Sequence, residues 1–400
     1  MNFAFSTKLY KEGRVSFLAP VQSDSISPTR RLPVFYNPKM ELNRDVAIVL
    51  IQTYQKTLGT PIDVCEPLAG CGVRGIRFAL EVDKVRSVIL NDISPKAYEL
   101  AKKNAELNDL KEVVRVCNMD ANSMLSEHSE PSRRFDVIDV DPFGTPTPYL
   151  ESSIRALKRR SSLLALTATD MPPLCGIYPQ VCLRKYGGYS LRTHYCHEIA
   201  VRLLIGCTAR VAARHELGIK VYFVHSSDHY IRAYLRFSKG VNRANESMKN
   251  LGYIFHCFDC ENRETINGLI PKIPEACPNC SSVKTGVAGP LWIGMLFDGY
   301  FCEKSLYTVE EKMLGTHNRV TRIIRLALNE TNMPPTYFNL HVLCDRMNLE
   351  IPPFDKVMNR LKENGFEVSR THFDPISIRT TAGVEEVKSV LRSISKRNKV

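Results

Sequence analysis

The chain lacks any apolar run long enough to cross a bilayer. Its richest stretch, Val46–Ile51, is far shorter than a membrane helix needs. Its start, Met1-Asn2-Phe3-Ala4-Phe5-Ser6-Thr7-Lys8, has no basic segment followed by an apolar core, so no secretory leader is expected and the cytoplasm is the expected location. Internal repeats and low-complexity tracts are absent. With 44% apolar and 24% charged residues, the composition excludes disordered, collagenous and fibrous classes. Acid is scarce relative to base: 54 Lys and Arg face 42 Asp and Glu, a net charge of +12. Such a chain is expected to meet an acidic partner, nucleic acid foremost; a protein that is simply basic is the bland alternative. A disulfide framework is also missing. The thirteen cysteines are an odd number, and nine are scattered singly, which reads as buried thiols in a reducing compartment. Nothing points to a membrane or a protein partner.

Four hundred residues exceed one ordinary core, so two or three domains are expected. Residues 1–40 are rich in turn formers (Ser23-Asp24-Ser25, Ser27-Pro28, Asn37-Pro38) and read as an extended lead-in with short strands around Arg14–Leu18. A helix is predicted over Met40–Thr57. Short strands at Ile62–Glu66, Ser87–Leu90, Val113–Cys117, Phe135–Val140 and Ser162–Thr167 then alternate with helices, among them Leu150–Arg159 and one capped by Ser94-Pro95. That rhythm predicts a parallel sheet covered on both faces. Ile219–His225 and His229–Phe237 are joined by so short a link that they must form an antiparallel hairpin. A parallel sheet ending in a hairpin is an α/β fold of the S-adenosylmethionine-dependent methyltransferase (Rossmann-like) kind. The expected division is 1–243 for the extension and this fold, and 244–400 for a C-terminal α+β domain. In the latter, a cysteine-rich ribbon precedes helices at Asn318–Leu328 and Pro353–Asn364, a small hairpin and a last helix, an arrangement that resembles a winged helix.

The chemistry-bearing residues sit at the predicted strand ends. Gly70-x-Gly72-x-x-Gly75 separates a strand from a helix, where glycine permits a tight turn and close approach to a ligand. Asp92 follows 22 residues after Gly70 and is placed to accept from both hydroxyls of a ribose. Glu66 faces the same turn. Its carboxylate would repel pyrophosphate but suits a sulfonium or an amino group, favouring S-adenosylmethionine over a dinucleotide. Asp120 ends the third strand, where adenine sits in this fold; a capping role is its bland alternative. Asp141-Pro142-Phe143-Gly144 resembles the (Asp/Asn)-Pro-Pro-(Tyr/Phe) motif of enzymes that methylate exocyclic base amines. Such an amine is a poor nucleophile, and an acceptor for its proton returns electron density to nitrogen. Asp141 is the candidate acceptor, with the Pro142 carbonyl as a second, and Phe143 is placed to stack on an extruded base. The second proline of the motif is missing. Asp136 and Asp139 share that strand; Asp139 alternates with Asp141 and is a candidate to support the site, and neither is assigned a role.

Cys257-x-x-Cys260 and Cys277-x-x-Cys280, sixteen residues apart, have the spacing of two knuckles around a structural Zn2+, whose four thiolates leave no open position. Arg184–Arg243 holds eleven Lys or Arg against Glu198, Glu216 and Asp228, with tyrosines interleaved. It reads as a phosphate-contacting surface or as a solvated charged face. The tail Lys388–Lys399 is a second basic cluster.

Taken in order, Phe35-Tyr36-Asn37-Pro38-Lys39-Met40-Glu41-Leu42-Asn43-Arg44-Asp45, Glu66–Gly75, Asp92, Asp120-Ala121, Asp141–Gly144 and the four cysteines resemble the archaeal tRNA (guanine-26 2-amino) dimethyltransferases along most of the chain. The resemblance implies that Arg44 binds the cofactor carboxylate with Arg74 beside it, that Asp92 holds the ribose, and that Asp120 and Ala121 hold the adenine. It also implies that Asp141 is the catalytic acceptor, that Phe35 and Phe143 flank the target guanine, and that tRNA is the partner. The expected reaction is transfer of methyl groups, two in all, to the guanine 2-amino group. The rivals are methylation of another exocyclic base amine in tRNA, rRNA or DNA, and a non-catalytic zinc-ribbon RNA-binding protein.

Overall fold

A computed structural model describes residues 5–21 and 32–395. The turn-rich runs at Ser23–Ser25 and Ser27-Pro28, the first four residues and the end of the Lys388–Lys399 cluster lie outside the described residues. Strands β1 (Thr7–Glu12) and β2 (Val15–Pro20) form a hairpin that brackets the expected Arg14–Leu18. Helix α1 (Glu41–Leu58) ends where Gly59 takes a left-handed conformation at φ 76°, within a residue of the expected Met40–Thr57.

Next come β3 (Ile62–Glu66), α2 (Val73–Glu81), β4 (Val85–Asn91), α3 (Pro95–Leu107), β5 (Val114–Cys117), α4 (Ala121–Glu127), β6 (Val137–Val140), α5 (Leu150–Ala156) and β7 (Ser162–Ala168). The Ser94 side chain caps α3 by accepting from Ala97 N, with Pro95 at the first helical position, as predicted. Helix α5 stops three residues before the expected Arg159. Leu157 bridges to Phe135 in parallel, and Lys158 N donates to the Phe135 carbonyl, so the chain is already extended there.

Beyond lie α6 (Met171–Leu174), α7 (Pro179–Tyr186), α8 (Cys196–Arg214), β8 (Leu217–Ser227) and β9 (Tyr230–Lys239). The seven-stranded sheet runs β5-β4-β3-β6-β7-β9-β8. The β5/β4, β4/β3, β3/β6 and β6/β7 pairs are parallel. Adjacent strands β8 and β9, joined by two residues, make the terminal hairpin. Strand order reverses between β3 and β6, the position where open α/β sheets hold ligands at their carboxyl ends.

The remaining elements are α9 (Val241–Lys249), β10 (Leu251–Cys257), β11 (Arg263–Asn267), β12 (Thr285–Trp292), α10 (Gly299–Glu310), α11 (His317–Asn329), β13 (Phe338–Asn339), α12 (Leu340–Arg346), α13 (Phe354–Glu363), β14 (Val368–Arg370), β15 (Ser377–Thr380) and α14 (Val384–Ile394). Two antiparallel three-stranded sheets run β11-β10-β12 and β13-β15-β14.

The described residues group into two compact units. One comprises those within Met1–Thr167, Tyr234–Lys239 and Tyr300–Ile324; the other comprises those within Ala168–Ala233, Gly240–Gly299 and Arg325–Val400. In the first, buried charge ties the β1–β2 hairpin to α1 and α2. Arg44 donates to Glu12 at 2.7 and 2.5 Å, and Arg77 meets Asp45 at 2.8 Å and Glu81 at 3.0 Å. Burial works against ionisation of Glu12, but the Arg44 charge and hydrogen bonds, the Tyr36 hydroxyl and Arg77 outweigh it and lower its pKa.

In the second unit, α8 lies on β12 through Gly206. A Cβ there would stand 3.0 Å from the Trp292 nitrogen, so the close approach requires glycine. At the centre of this unit Glu198 receives Arg202 at 2.8 Å and Arg379 at 2.8 Å; Arg379 also meets Glu330 at 2.8 Å, and Glu330 accepts from His372. Burial opposes the ionisation of Glu198, but Arg379 and Arg202 prevail and hold its pKa down at about 2. Its stabilising contribution is complete above the ordinary glutamate range and is lost as pH falls toward 2. Glu198→Ala leaves two buried guanidiniums short of a partner and should cost about 3–5 kcal/mol in denaturant unfolding. Glu198→Gln should flatten the acid limb of wild-type stability below pH ~4.5; an unchanged acid limb would show that the pair is not linked to folding.

Candidate active site

The turn after β3 explains its glycines. Gly70 and Gly72 sit at φ 55° and 79°, and a Cβ on Gly72 would press at 3.0 Å on both Ala101 and Leu90. Gly75 lets α2 pack against Leu90 of β4, and its N–H donates to Glu66 Oε2 at 3.0 Å. Asp92, just past β4, accepts from Gly70 N and Ser94 N, both at 2.9 Å. The turn is thereby tied to the end of the neighbouring strand. Gly70 and Asp92 line a cavity of about 180 Å³ together with Leu32–Phe35, Ser94, Ala97 and Phe143. Four of the residues singled out in the sequence, Phe35, Gly70, Asp92 and Phe143, thus share one cavity. Leu32–Val34, Ser94 and Ala97 were not anticipated, since apolar lead-in residues carry no local signal of a ligand.

Arg74, the second residue of α2, gathers the acidic ends of β3 and β6. Its guanidinium lies 3.4 Å from Glu66, 3.7 Å from Asp139 and in a short ion pair with Asp141, while Asn43 of α1 accepts from it at 2.8 Å. All four groups except Asp141 are deeply buried; Asp141 is 19% exposed. Asp139, which alternates with Asp141 along the strand, and Asn43, which was not anticipated, therefore both contact the Arg74 cluster. Asp136 belongs elsewhere, pairing with Lys158 at 2.6 Å. Three carboxyls around one guanidinium leave the cluster with an excess of acid. Burial pushes Glu66 up to about 8, against Arg74 and with help from Asp139 and Asp141. A group with this charge deficit suits a cationic ligand.

Other expected residues are placed differently. The Arg44 guanidinium is engaged by Glu12 and the Asn37 carbonyl, and it stands 5.4 Å from the Tyr36 ring. It does not pair with Asp45, which meets Arg77 and accepts from Thr316. Asp120 caps α4, accepting from Ser123 N at 3.0 Å, with Ala121 buried as the first helical residue. Phe35 and Phe143 touch edge to face, centroids 4.6 Å apart at 82°, so no base fits between them in this conformation. Phe143 is nonetheless 61% exposed, on a turn that Gly144 closes at φ 83° while Pro142 stays buried.

In the second unit the four cysteines converge, every Sγ within 4.8 Å of the others, with 257–280 and 260–277 separations of 3.6 Å. The knuckles repeat one geometry. Glu261 N and Ser281 N donate to the Cys257 and Cys277 carbonyls at 3.0 and 2.8 Å, and both residues take left-handed φ of 65° and 59°. Tetrahedral zinc with ~2.3 Å bonds needs sulfurs about 3.8 Å apart, so the donor set fits that ion. Of the basic stretch, Arg202 and Arg232 are interior, Arg202 donating to the Trp292 and Gly294 carbonyls. Arg202 is thereby removed from any phosphate-binding role, whereas Arg184, Arg192, Arg214 and Arg243 are exposed.

A family model described as N2,N2-dimethylguanosine tRNA methyltransferase matches residues 14–392. A tRNA (guanine(26)-N(2))-dimethyltransferase of Methanothermobacter thermautotrophicus is 43% identical over 96% of this chain and 98% of its own length. That of Methanobrevibacter smithii is 39% identical over 98% and 99%. Among solved structures, Trm1 from Pyrococcus horikoshii in complex with S-adenosyl-L-methionine superposes with a TM-score of 0.84, at 34% identity over 97% of this chain and 100% of that one.

The Glu66 carboxyl yields a direct test in the ligand-free protein. Its folded pKa of about 8 lies above the ordinary 4.5, so this group destabilises the fold increasingly as pH rises from 4.5 through 8. Glu66→Gln removes that dependence. The melting temperature of the variant relative to wild type should climb between pH 5 and 8.5, and a constant difference would place the proton elsewhere.

Proposed function

The chain belongs to the N2,N2-dimethylguanosine tRNA methyltransferase family, and from that premise we propose how its residues divide the work. The reaction is S-adenosylmethionine-dependent methylation of the 2-amino group of guanine in tRNA. The observation that carries the assignment of roles is Asp141. It stands at the carboxyl end of β6 beside the reversal of strand order, oriented by Arg74, on the same turn as exposed Phe143. The finer target is guanine 26, methylated twice, the specificity named for the relatives.

The bound cofactor supplies an electrophilic methyl on a sulfonium. Asp92 holds the ribose hydroxyls, Gly70 and Gly72 let backbone approach the ligand, and the excess acid around Arg74 and Glu66 matches its positive charge. Asp120 and Ala121 meet the adenine at the start of α4. Arg44 receives the cofactor carboxylate by exchanging its contact with Glu12 for the new one. Asp141 and the Pro142 carbonyl accept from the guanine amine and hold its nitrogen toward the methyl. The nitrogen becomes cationic as the methyl arrives and is then strongly acidic, so the Asp141 carboxylate takes the proton. Phe143 parts from Phe35 to receive the base. We assign this chemistry to residues 1–243. To residues 244–400, with a structural zinc at Cys257, Cys260, Cys277 and Cys280 and the winged-helix-like β13–β15–β14 part, we assign tRNA docking in the cytoplasm. Among the described residues no helix is long and apolar enough to cross a membrane.

Asp141→Ala should lower kcat by about 10²–10⁴-fold with cofactor affinity retained. Asp92→Ala should weaken cofactor binding in calorimetry without tRNA. An active Asp141→Ala enzyme, or unchanged affinity in Asp92→Ala, would remove the residue from its assigned role. Arg184, Arg192 and Arg214 to Glu should raise KM for tRNA several-fold and reduce the salt slope of binding by roughly one unit per lost phosphate contact. A wild-type salt slope would make these arginines a solvated face.

A further inference from the structure

Three metal-binding groups outside the four-cysteine cluster converge within the second unit. Cys175 follows α6, and Cys196 and His197 open α8. One ligand atom from each, two Sγ and an imidazole nitrogen, lie within 4.8 Å of one another. The first cysteine is held there by backbone packing. Gly176 adopts φ 87°, and a Cβ on it would fall 2.4 Å from Arg192 N and 2.6 Å from the Leu191 carbonyl carbon. The Leu174–Gly176 turn is therefore pressed against the segment that leads into α8. Ser190 Oγ donates to the Pro173 carbonyl at 2.6 Å and pins the same two strands of chain from the other side. The three groups thus sit on a braced turn and on the first turn of a 19-residue helix.

We propose that Cys175, Cys196 and His197 form a second zinc site with a fourth position open to solvent. Two thiolates and an imidazole are a soft donor set that favours zinc over magnesium or calcium. Tetrahedral bonds of about 2.3 Å to sulfur and 2.0–2.1 Å to nitrogen bring the donor atoms roughly 3.5–3.8 Å apart. The three ligand atoms already lie within 4.8 Å of one another. All three residues are partly exposed, so an ion can enter. In this respect the site differs from the four-cysteine cluster, whose four thiolates close the coordination sphere. An ion here ties the Leu174–Gly176 turn to α8, and its open position accepts a small anionic or neutral donor.

Metal content separates this site from the four-cysteine one. Full-length protein purified without chelator should carry about two zinc ions per chain by elemental mass spectrometry, one for each site with complete ligands. Cys175→Ser/Cys196→Ser should lose one of them while Cys257→Ser/Cys260→Ser loses the other. Cys175→Ser/Cys196→Ser protein with the zinc content of wild type would overturn the proposal. So would a Cys175–Cys196 disulfide in anaerobically purified wild-type protein. Should the double variant fail to fold, His197→Gln and cobalt substitution replace it. Wild type loaded with cobalt should give two tetrahedral thiolate spectra with different charge-transfer intensities. His197→Gln should alter the weaker one alone, and a spectrum identical to wild type would reject the site.

Discussion

One buried guanidinium organises the catalytic end of the sheet. Arg74 stands at the start of α2 because the Gly70–Gly72 turn delivers the helix at that point, and from there it faces Glu66, Asp139 and Asp141 together. Without it three carboxyls from two neighbouring strand ends would be buried in mutual repulsion, a far costlier state than any one of them alone. Even with it, burial first and the neighbouring Asp139 and Asp141 charges second keep a proton on Glu66 to unusually high pH. The same guanidinium holds Asp141 in an ion pair, so in the proposed division of roles cofactor binding and amine positioning share one side chain.

The periodic part of the fold was legible because its signals are local. Strand runs, the Ser94-Pro95 cap and the glycine turn each depend on neighbours a few residues away, and each is found within a residue or two of its expected place. What escaped is non-local. Arg44 is claimed by Glu12, 32 residues earlier, across a hairpin whose position no short window reveals. Arg202 looks like one more surface arginine until Glu198, Arg379 and the Trp292 carbonyl surround it. Asp139 reads as an unassigned strand acid until Arg74 reaches it. The strands flanking the cysteines were missed because none alternates: β10 is buried almost throughout, β11 has no buried residue, and β12 is half-buried in its first part and mostly buried in its second.

The cysteines illustrate the difference. Four were readable at once because a fixed spacing carries their geometry, and the structure brings their sulfurs together as that spacing implies. Cys175 and Cys196, 21 residues apart with no motif, looked like scattered thiols. Their proximity depends on Gly176 packing against Arg192, a close approach visible only in three dimensions.

In the role proposed for Phe35 and Phe143, their edge-to-face contact makes the base slot its own first occupant. A guanine entering it exchanges one aromatic partner for another. The pocket therefore gains only the difference between base stacking, about 1–3 kcal/mol, and the ring pair it gives up, about 0.5–1.5 kcal/mol. Such a slot discriminates little by stacking. Selection is left to the hydrogen-bonding edge of the base and to the folded RNA that presents it. The same near-balance eases departure: when the rings close again behind a methylated guanine, the enzyme has not trapped its own product, and a second methyl can be delivered after a fresh cofactor has taken its place.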